Sequence, residues 1–225
     1  KWRLGAQLHR SQYLQTAFDD MTLTAYTGPH LTLKRWDFSL LGNVGRRWYG
    51  DRGYATTIGS SADATYYVTT RLGVGVTAAV NHIAYDRNPP QNGLGESVGA
   101  SVFYTPSTAS FVRGAVTVSR QDAGITAYAF DSRQFAASYV REFAGGITVG
   151  VAPTFSLIRY HAALAAFGVP RHDRQYAIEL SLLDRKIDFH GLTPRLSYSF
   201  IRNASNIDLY RFSRNRLMIG LTSSF

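Results

Sequence analysis

Arg216-Leu217-Met218-Ile219-Gly220-Leu221-Thr222-Ser223-Ser224-Phe225 closes the chain by alternating large apolar residues (Leu217, Ile219, Leu221, Phe225) with residues of the opposite row. Ser223 is the one weak position in the apolar row. The pattern is that of the last strand of a transmembrane β-barrel, where one face meets lipid, the other a polar interior, and the terminal ring lies at the membrane interface.

The same alternation extends back through the chain and predicts twelve strands, at about residues 2–14, 22–35, 36–49, 53–70, 71–86, 94–108, 109–122, 131–143, 145–160, 172–185, 188–203 and 210–225. Each is long enough to cross a bilayer at a tilt, which takes about 9 to 11 residues. Leu72, Val74, Val76, Ala78 and Val80 face one way, against Gly73, Gly75, Thr77, Ala79 and Asn81. Ile147, Val149, Val151, Phe155 and Leu157 repeat the apolar row, as do Tyr176, Ile178, Leu180 and Leu182, then Leu196, Tyr198 and Phe200. The opposite row holds Thr148, Gly150, Thr154, Glu179, Arg195, Ser197 and Ser199. Bulky residues outside and small polar ones inside invert the plan of a soluble sandwich.

Connections alternate in length. Short ones are expected near 35–36, 70–71, 105–109, 144–146 and 185–188, and longer ones at 15–21, 49–53, 86–93, 122–130, 161–171 and 204–209. Tight turns at one rim and long loops at the other are the asymmetry of outer-membrane barrels, with both termini on the periplasmic side. The expected architecture is an all-β, antiparallel, up-and-down transmembrane barrel of 12 visible strands, 12 to 14 in the full barrel. It forms one outer-membrane domain over residues 1–225.

Composition agrees. No run approaches the 18 to 20 apolar residues of a spanning helix, and mean hydropathy is −0.14. Yet 45% of residues are hydrophobic and 13% aromatic, too much apolar surface for a disordered chain. The 24 Lys and Arg against 15 Asp and Glu give a net charge of +9. These charges are scattered, with no basic helix or like-charge block, so nucleic acid is not an expected partner. Arginines paired with acids across the inner wall, or facing outer-leaflet lipid phosphates, account for them. The chain has no cysteine, hence no disulfide framework and no thiolate metal site. It begins at Lys1 without Met or a signal peptide and reads as the processed C-terminal part of something longer.

Two loops are apolar where solvated loops are polar: Ala162 to Val169 and Ile125 to Phe130. They are expected to fold over the barrel mouth, or to present a binding surface outside it.

Phe189, Gly191, Leu192, Thr193, Pro194, Arg195 and Leu196, then Asn203, Ser205, Asn206 and Tyr210, then Arg214, Asn215, Arg216 and Phe225, carry a resemblance. This stretch resembles the C-terminal barrel of the surface lipoprotein assembly modifiers, whose penultimate hairpin has a similar G-x-T-P-R-L, S-N-x-x-x-Y and final Phe pattern. The match is specific over about 40 residues and general in architecture elsewhere. The resemblance implies an outer-membrane translocon that brings lipoproteins to the cell surface, with a periplasmic tetratricopeptide domain ahead of a barrel usually drawn with 14 strands. A passive, porin-like pore or an autotransporter-type translocator barrel is the alternative.

Within the hairpin, Gly191 and Pro194 suit the entry of a strand. Asn203, Ser205 and Asn206 suit a turn whose amides cap their own backbone. Arg195, Arg202, Arg214 and Arg216 are candidates for a charged ladder, with Phe189 and Tyr210, at the seam where the last strand meets the first. Leu217, Ile219, Leu221 and Phe225 form the expected signal to the barrel-assembly machinery, as a C-terminal Phe does in bacterial outer-membrane proteins. No catalytic or cofactor motif is present: His172 beside Asp173 has no Ser placed near it by sequence, and the six histidines lack metal-ligand spacing. The expected partners are outer-membrane lipid, the assembly machinery, surface lipoproteins and the periplasmic domain.

Overall fold

The computed structural model describes residues 1–12, 14–187 and 192–222. Twelve antiparallel strands follow one another in a single sheet whose spatial order is the order of the chain. They are β1 (Trp2–Ser11), β2 (Asp20–Leu33), β3 (Trp36–Tyr49), β4 (Arg52–Tyr67), β5 (Leu72–Tyr85), β6 (Gly93–Ser107), β7 (Ser110–Gln121), β8 (Phe130–Glu142), β9 (Ile147–Ala163), β10 (Pro170–Asp184), β11 (Thr193–Ser205) and β12 (Phe212–Thr222).

Register explains why alternation was a sufficient signal. Phe38, Ala64, Val76, Ala100, Val116, Phe135, Phe155 and Tyr176 stand directly opposite one another across eight successive strands. One face is therefore a continuous apolar wall, and Ile58, Val76 and Val98 on it are exposed. The row begins two residues from the short-turn end of β3 and reaches β10 six residues from its long-loop end, so the strands are staggered as a barrel requires.

The sheet curls toward its polar face. Tyr85 at the end of β5 and Ile207 after β11 line the same cavity of about 300 Å³. In a flat sheet those strands, six steps apart, would lie roughly 29 Å from one another, whereas such a cavity is about 8 Å across. Tyr85, Gln121, Tyr160 and Arg171, all lining that cavity, belong to the row of small and polar residues, which makes that face the concave one. On it the absence of a side chain at Gly59 lets the Asn43 Nδ2 donate to Asn81 Oδ1 across β4, at 3.1 Å. Near the short-turn rim, Tyr67, Phe103 and Phe111 pack at 5.8 and 6.2 Å on the same side.

Loop lengths depart from expectation at one place. The β3–β4 connection is a two-residue turn, Gly50-Asp51, and both residues have positive φ (57° and 58°), the geometry of a hairpin turn matched to strand twist. Three of the long connections instead end in a tripeptide 3₁₀ turn bearing an aromatic residue: Thr16–Phe18, Thr126–Tyr128 and Asp208–Tyr210. Pro89–Gln91 makes the same turn without the ring.

β1 and β12 are the two edges, and among the described residues they do not pair with each other. Every residue of β12 is exposed, as is all of β1 except Gly5 and Ser11.

Candidate functional site at the loop rim and the last hairpin

Most of the buried residues lie at the long-loop rim. Asp19, Ala127, Ala129, Asp173, Asn203, Ser205 and Ile207 are buried there, while the apolar side chains of the wall point away from the interior. Both apolar loops contribute: Ala127 and Tyr128 from one, and Ala162, Leu164 and Val169 from the other, line the rim cavity.

Arg171 is the centre of this closure. Its guanidinium carbon lies 3.7 Å from the centroid of the Tyr210 ring and 4.8 Å from that of Tyr160. Its Nε donates to Asp173 Oδ2 at 2.8 Å, and Nη2 donates to the same oxygen. The Asp173 side chain is only 1% exposed, so the carboxylate is held out of water by the cation it neutralises. Phe167, from the β9–β10 loop, meets Tyr210 edge to face at 5.7 Å. A planar cation between two rings is a rigid strut, and it ties β9, β10 and the β11–β12 loop together.

The last hairpin is braced to the same place. Asn203 Nδ2 donates to the Tyr210 carbonyl at 2.8 Å, and Ser205 Oγ accepts from the Ile207 N–H at 3.2 Å. Asn206 Oδ1 accepts from the His172 N–H at 2.7 Å, while its Nδ2 donates to the Pro170 carbonyl at 2.9 Å. Asn203, Ser205, Asn206 and Tyr210 are thus brought together. Ser205 serves the backbone of its own turn, as expected, whereas Asn206 serves the start of β10 across the sheet.

The four arginines do not form one ladder. Arg195, Arg214 and Arg216 lie on the concave face, opposite Gly220, Ile201 and Ser199 respectively. Arg202 shares the outer row with Leu196, Tyr198 and Phe200, opposite Tyr176. Arg195 stands level with Gly220, four residues and about 13 Å along the strand from Arg216, and faces Glu179 at 4.0 Å. Pro194 is the second residue of β11, and Leu217, Ile219 and Leu221 form the outer row of β12, opposite Tyr198, Leu196 and Pro194. Phe189, Gly191 and Phe225 lie outside the described residues.

His172 and Asp173 point to opposite faces of the sheet, one opposite Arg159 and the other opposite Ile158, so they form no acid–base pair. Among the described residues no three His, Asp or Glu side chains cluster as a metal site would need.

Sequence reading passed over Arg171 and Tyr160. The available signal was the thrice-repeated turn, Thr16-Ala17-Phe18, Thr126-Ala127-Tyr128 and Asp208-Leu209-Tyr210, each just before a strand. Of the three aromatic residues, Tyr210 stacks on Arg171 and Phe167 and Tyr128 lines the rim cavity, whereas Phe18 is exposed.

Comparison with known proteins follows the same lines. The family described as "Surface lipoprotein assembly modifier" matches residues 3–225. "Surface lipoprotein assembly modifier 1" of Haemophilus influenzae (strain ATCC 51907 / DSM 11121 / KW20 / Rd) is 19% identical over 216 residues, covering 92% of this chain and 45% of the relative. "Surface lipoprotein assembly modifier" of Moraxella catarrhalis is 25% identical over 182 residues, covering 80% and 36%. That of Pasteurella multocida (strain Pm70) is 20% identical over 183 residues, covering 76% and 36%. The chain therefore spans less than half the length of these relatives, and each aligns with most of its strands. A family match that runs from the first strand to the last residue places this chain among the surface lipoprotein assembly modifiers.

Proposed function

We propose that this chain is an outer-membrane β-barrel wall that helps lipoproteins cross to, or be displayed on, the cell surface, with its short-turn rim and both termini in the periplasm. The family match supplies the lipoprotein as substrate class. The observation that supports the mechanism is that, among the described residues, β1 and β12 are the two edges of a sheet that is otherwise continuously paired.

In a bilayer an unpaired ladder cannot be hydrated, and each lost backbone hydrogen bond costs several kcal/mol. In the membrane the two edges must therefore be paired, with each other or with a further strand, and a pairing that can part opens a path through the wall. Arg214 and Arg216 place two cations, with no carboxylate partner among the described residues, on the inner side of β12, where an extended segment entering the seam would pass. At the same long-loop end of the inner space the Arg171 strut closes the mouth, so movement through the side of the wall is favoured over movement through the end.

Photo-crosslinking tests this reading. A crosslinkable residue at Ile219 on β12, or at Leu4 on β1, of the full-length protein should capture lipoprotein when cargo is co-expressed, and one at Val116 on β7 should not. Equal capture at all three positions would rule out the seam as the working part. Steady ion conductance by the purified protein, with no capture anywhere, would favour the passive pore instead.

A further inference from the structure

The outer wall carries a second feature, which the seam does not use. In and above the aromatic row Phe135, Phe155 and Tyr176, whose rings pack at 6.4 and 4.9 Å, four arginines project outward on four consecutive strands. Arg133 and Arg174 flank Leu157 from β8 and β10, Arg159 of β9 stands opposite His172, and Arg202 of β11 stands opposite Tyr176. All four are exposed. Neighbouring strands are about 4.8 Å apart, so the patch is roughly 15 Å wide.

None of these arginines has an ion-pair partner among the described residues. The carboxylate in their row, Asp131, contacts His161 at 3.2 Å. Asp173, below the patch, turns inward to Arg171. Two other arginines of this rim are neutralised: Arg46 binds Asp86 through both nitrogens, at 2.9 and 2.5 Å, and Arg120 binds Asp122 at 2.9 Å. The Arg46 hydrogen bond holds the Asp86 carboxyl below its ordinary range, so that pair stays ionic. Asp131, opposite Arg159 on the same face, is one carboxylate beside four guanidiniums, and the excess positive charge calls for an anion from outside the chain. Two of them, Arg159 and Arg174, line a groove of about 810 Å³ together with His172, Asp173 and Asn206, over a floor of Phe155, Leu157 and Tyr176. Its upper part is cationic and its lower part apolar.

We infer that this groove is a binding site for a phosphorylated lipid of the leaflet at the long-loop rim. The guanidiniums take the headgroup phosphates in bidentate hydrogen bonds, and the acyl chains lie against the aromatic row. A free phosphate has no use for the apolar floor, and the combination of both surfaces commits the site to a lipid. This inference rests on the outer-membrane reading above. Lipid held here would anchor the four strands β8–β11 while the adjacent β12–β1 seam moves.

The test is lipid binding by the purified full-length protein in phosphatidylcholine nanodiscs doped with diphosphorylated lipid A or with its dephosphorylated form, read by native mass spectrometry. Near a membrane surface each arginine contributes about fivefold in affinity. Arg159→Gln with Arg174→Gln should therefore weaken binding of the phosphorylated lipid on the order of 30-fold. Arg46→Gln, which removes a paired arginine from the same rim, should leave it unchanged, and inorganic phosphate at 10 mM should not displace the lipid. Equal retention of the dephosphorylated form, no loss in the double variant, or displacement by phosphate would each overturn the inference while leaving the membrane reading intact. Failure of the wild-type protein to enter the nanodiscs would overturn both.

Discussion

Replacing Tyr210 with Ala removes the ring that holds the mouth closed. That ring contributes a cation–π contact to Arg171 at 3.7 Å and an edge-to-face contact to Phe167 at 5.7 Å. At about 1 kcal/mol for the first and about 0.5 to 1 kcal/mol for the second, the β9–β10 and β11–β12 loops should lose roughly 2 kcal/mol of docking. The assay is amide hydrogen exchange of the protein in detergent or nanodiscs. The reporters are the Gly168 N–H, bonded to the Leu164 carbonyl, and the Arg211 N–H, bonded to the Asp208 carbonyl. Their exchange should quicken by about 30-fold through local opening, while amides of β7 stay unchanged. Tyr210→Phe keeps the ring and should stay within about threefold of the parent. Unaltered exchange at both amides in Tyr210→Ala, or equal acceleration in β7, would refute the strut.

Other expectations follow from single contacts. Asn206→Ala strips partners from the His172 N–H and the Pro170 carbonyl; a loss of about 1 to 3 kcal/mol at the start of β10 should appear as faster proteolytic nicking near residues 168–172, and Asn206→Asp should retain the acceptor to His172 alone. Gly59→Leu would force a side chain into Asn81 and the Val80 carbonyl, so the heat-resistant folded fraction on gels should fall sharply, whereas Gly220→Leu, with open space at the Cβ, should be tolerated. Deleting Phe225 should lower the amount of protein inserted in the outer membrane with little change in synthesis, and normal insertion without it would remove the case for a terminal assembly signal.

What could be read from the sequence was what depends on a period of two. All twelve strands lie where alternation put them, because an outward row such as Val76, Val116 and Phe135 must be apolar at every crossing and a single-residue slip would reverse it. The face of Arg202 was legible by the same count, since it shares parity with Tyr198 and Phe200, but grouping arginines by type hid it. Two features needed three dimensions. The Gly50-Asp51 turn was masked by polar residues that resemble a longer loop. Arg171 acts through Tyr160, eleven residues upstream, and Tyr210, thirty-nine downstream, and only curling of the sheet brings these together. The outward patch of Arg133, Arg159, Arg174 and Arg202 is likewise a product of register, because these residues share a rim but no local motif.

The most direct test of the central claim is protease shaving of intact cells that express a lipoprotein encoded beside this gene, with and without the full-length protein. Lipoprotein cleaved only when the protein is present, and protected again when β12 is deleted, is the predicted result. Cleavage that is the same with and without the protein would contradict a role in bringing lipoproteins to the surface.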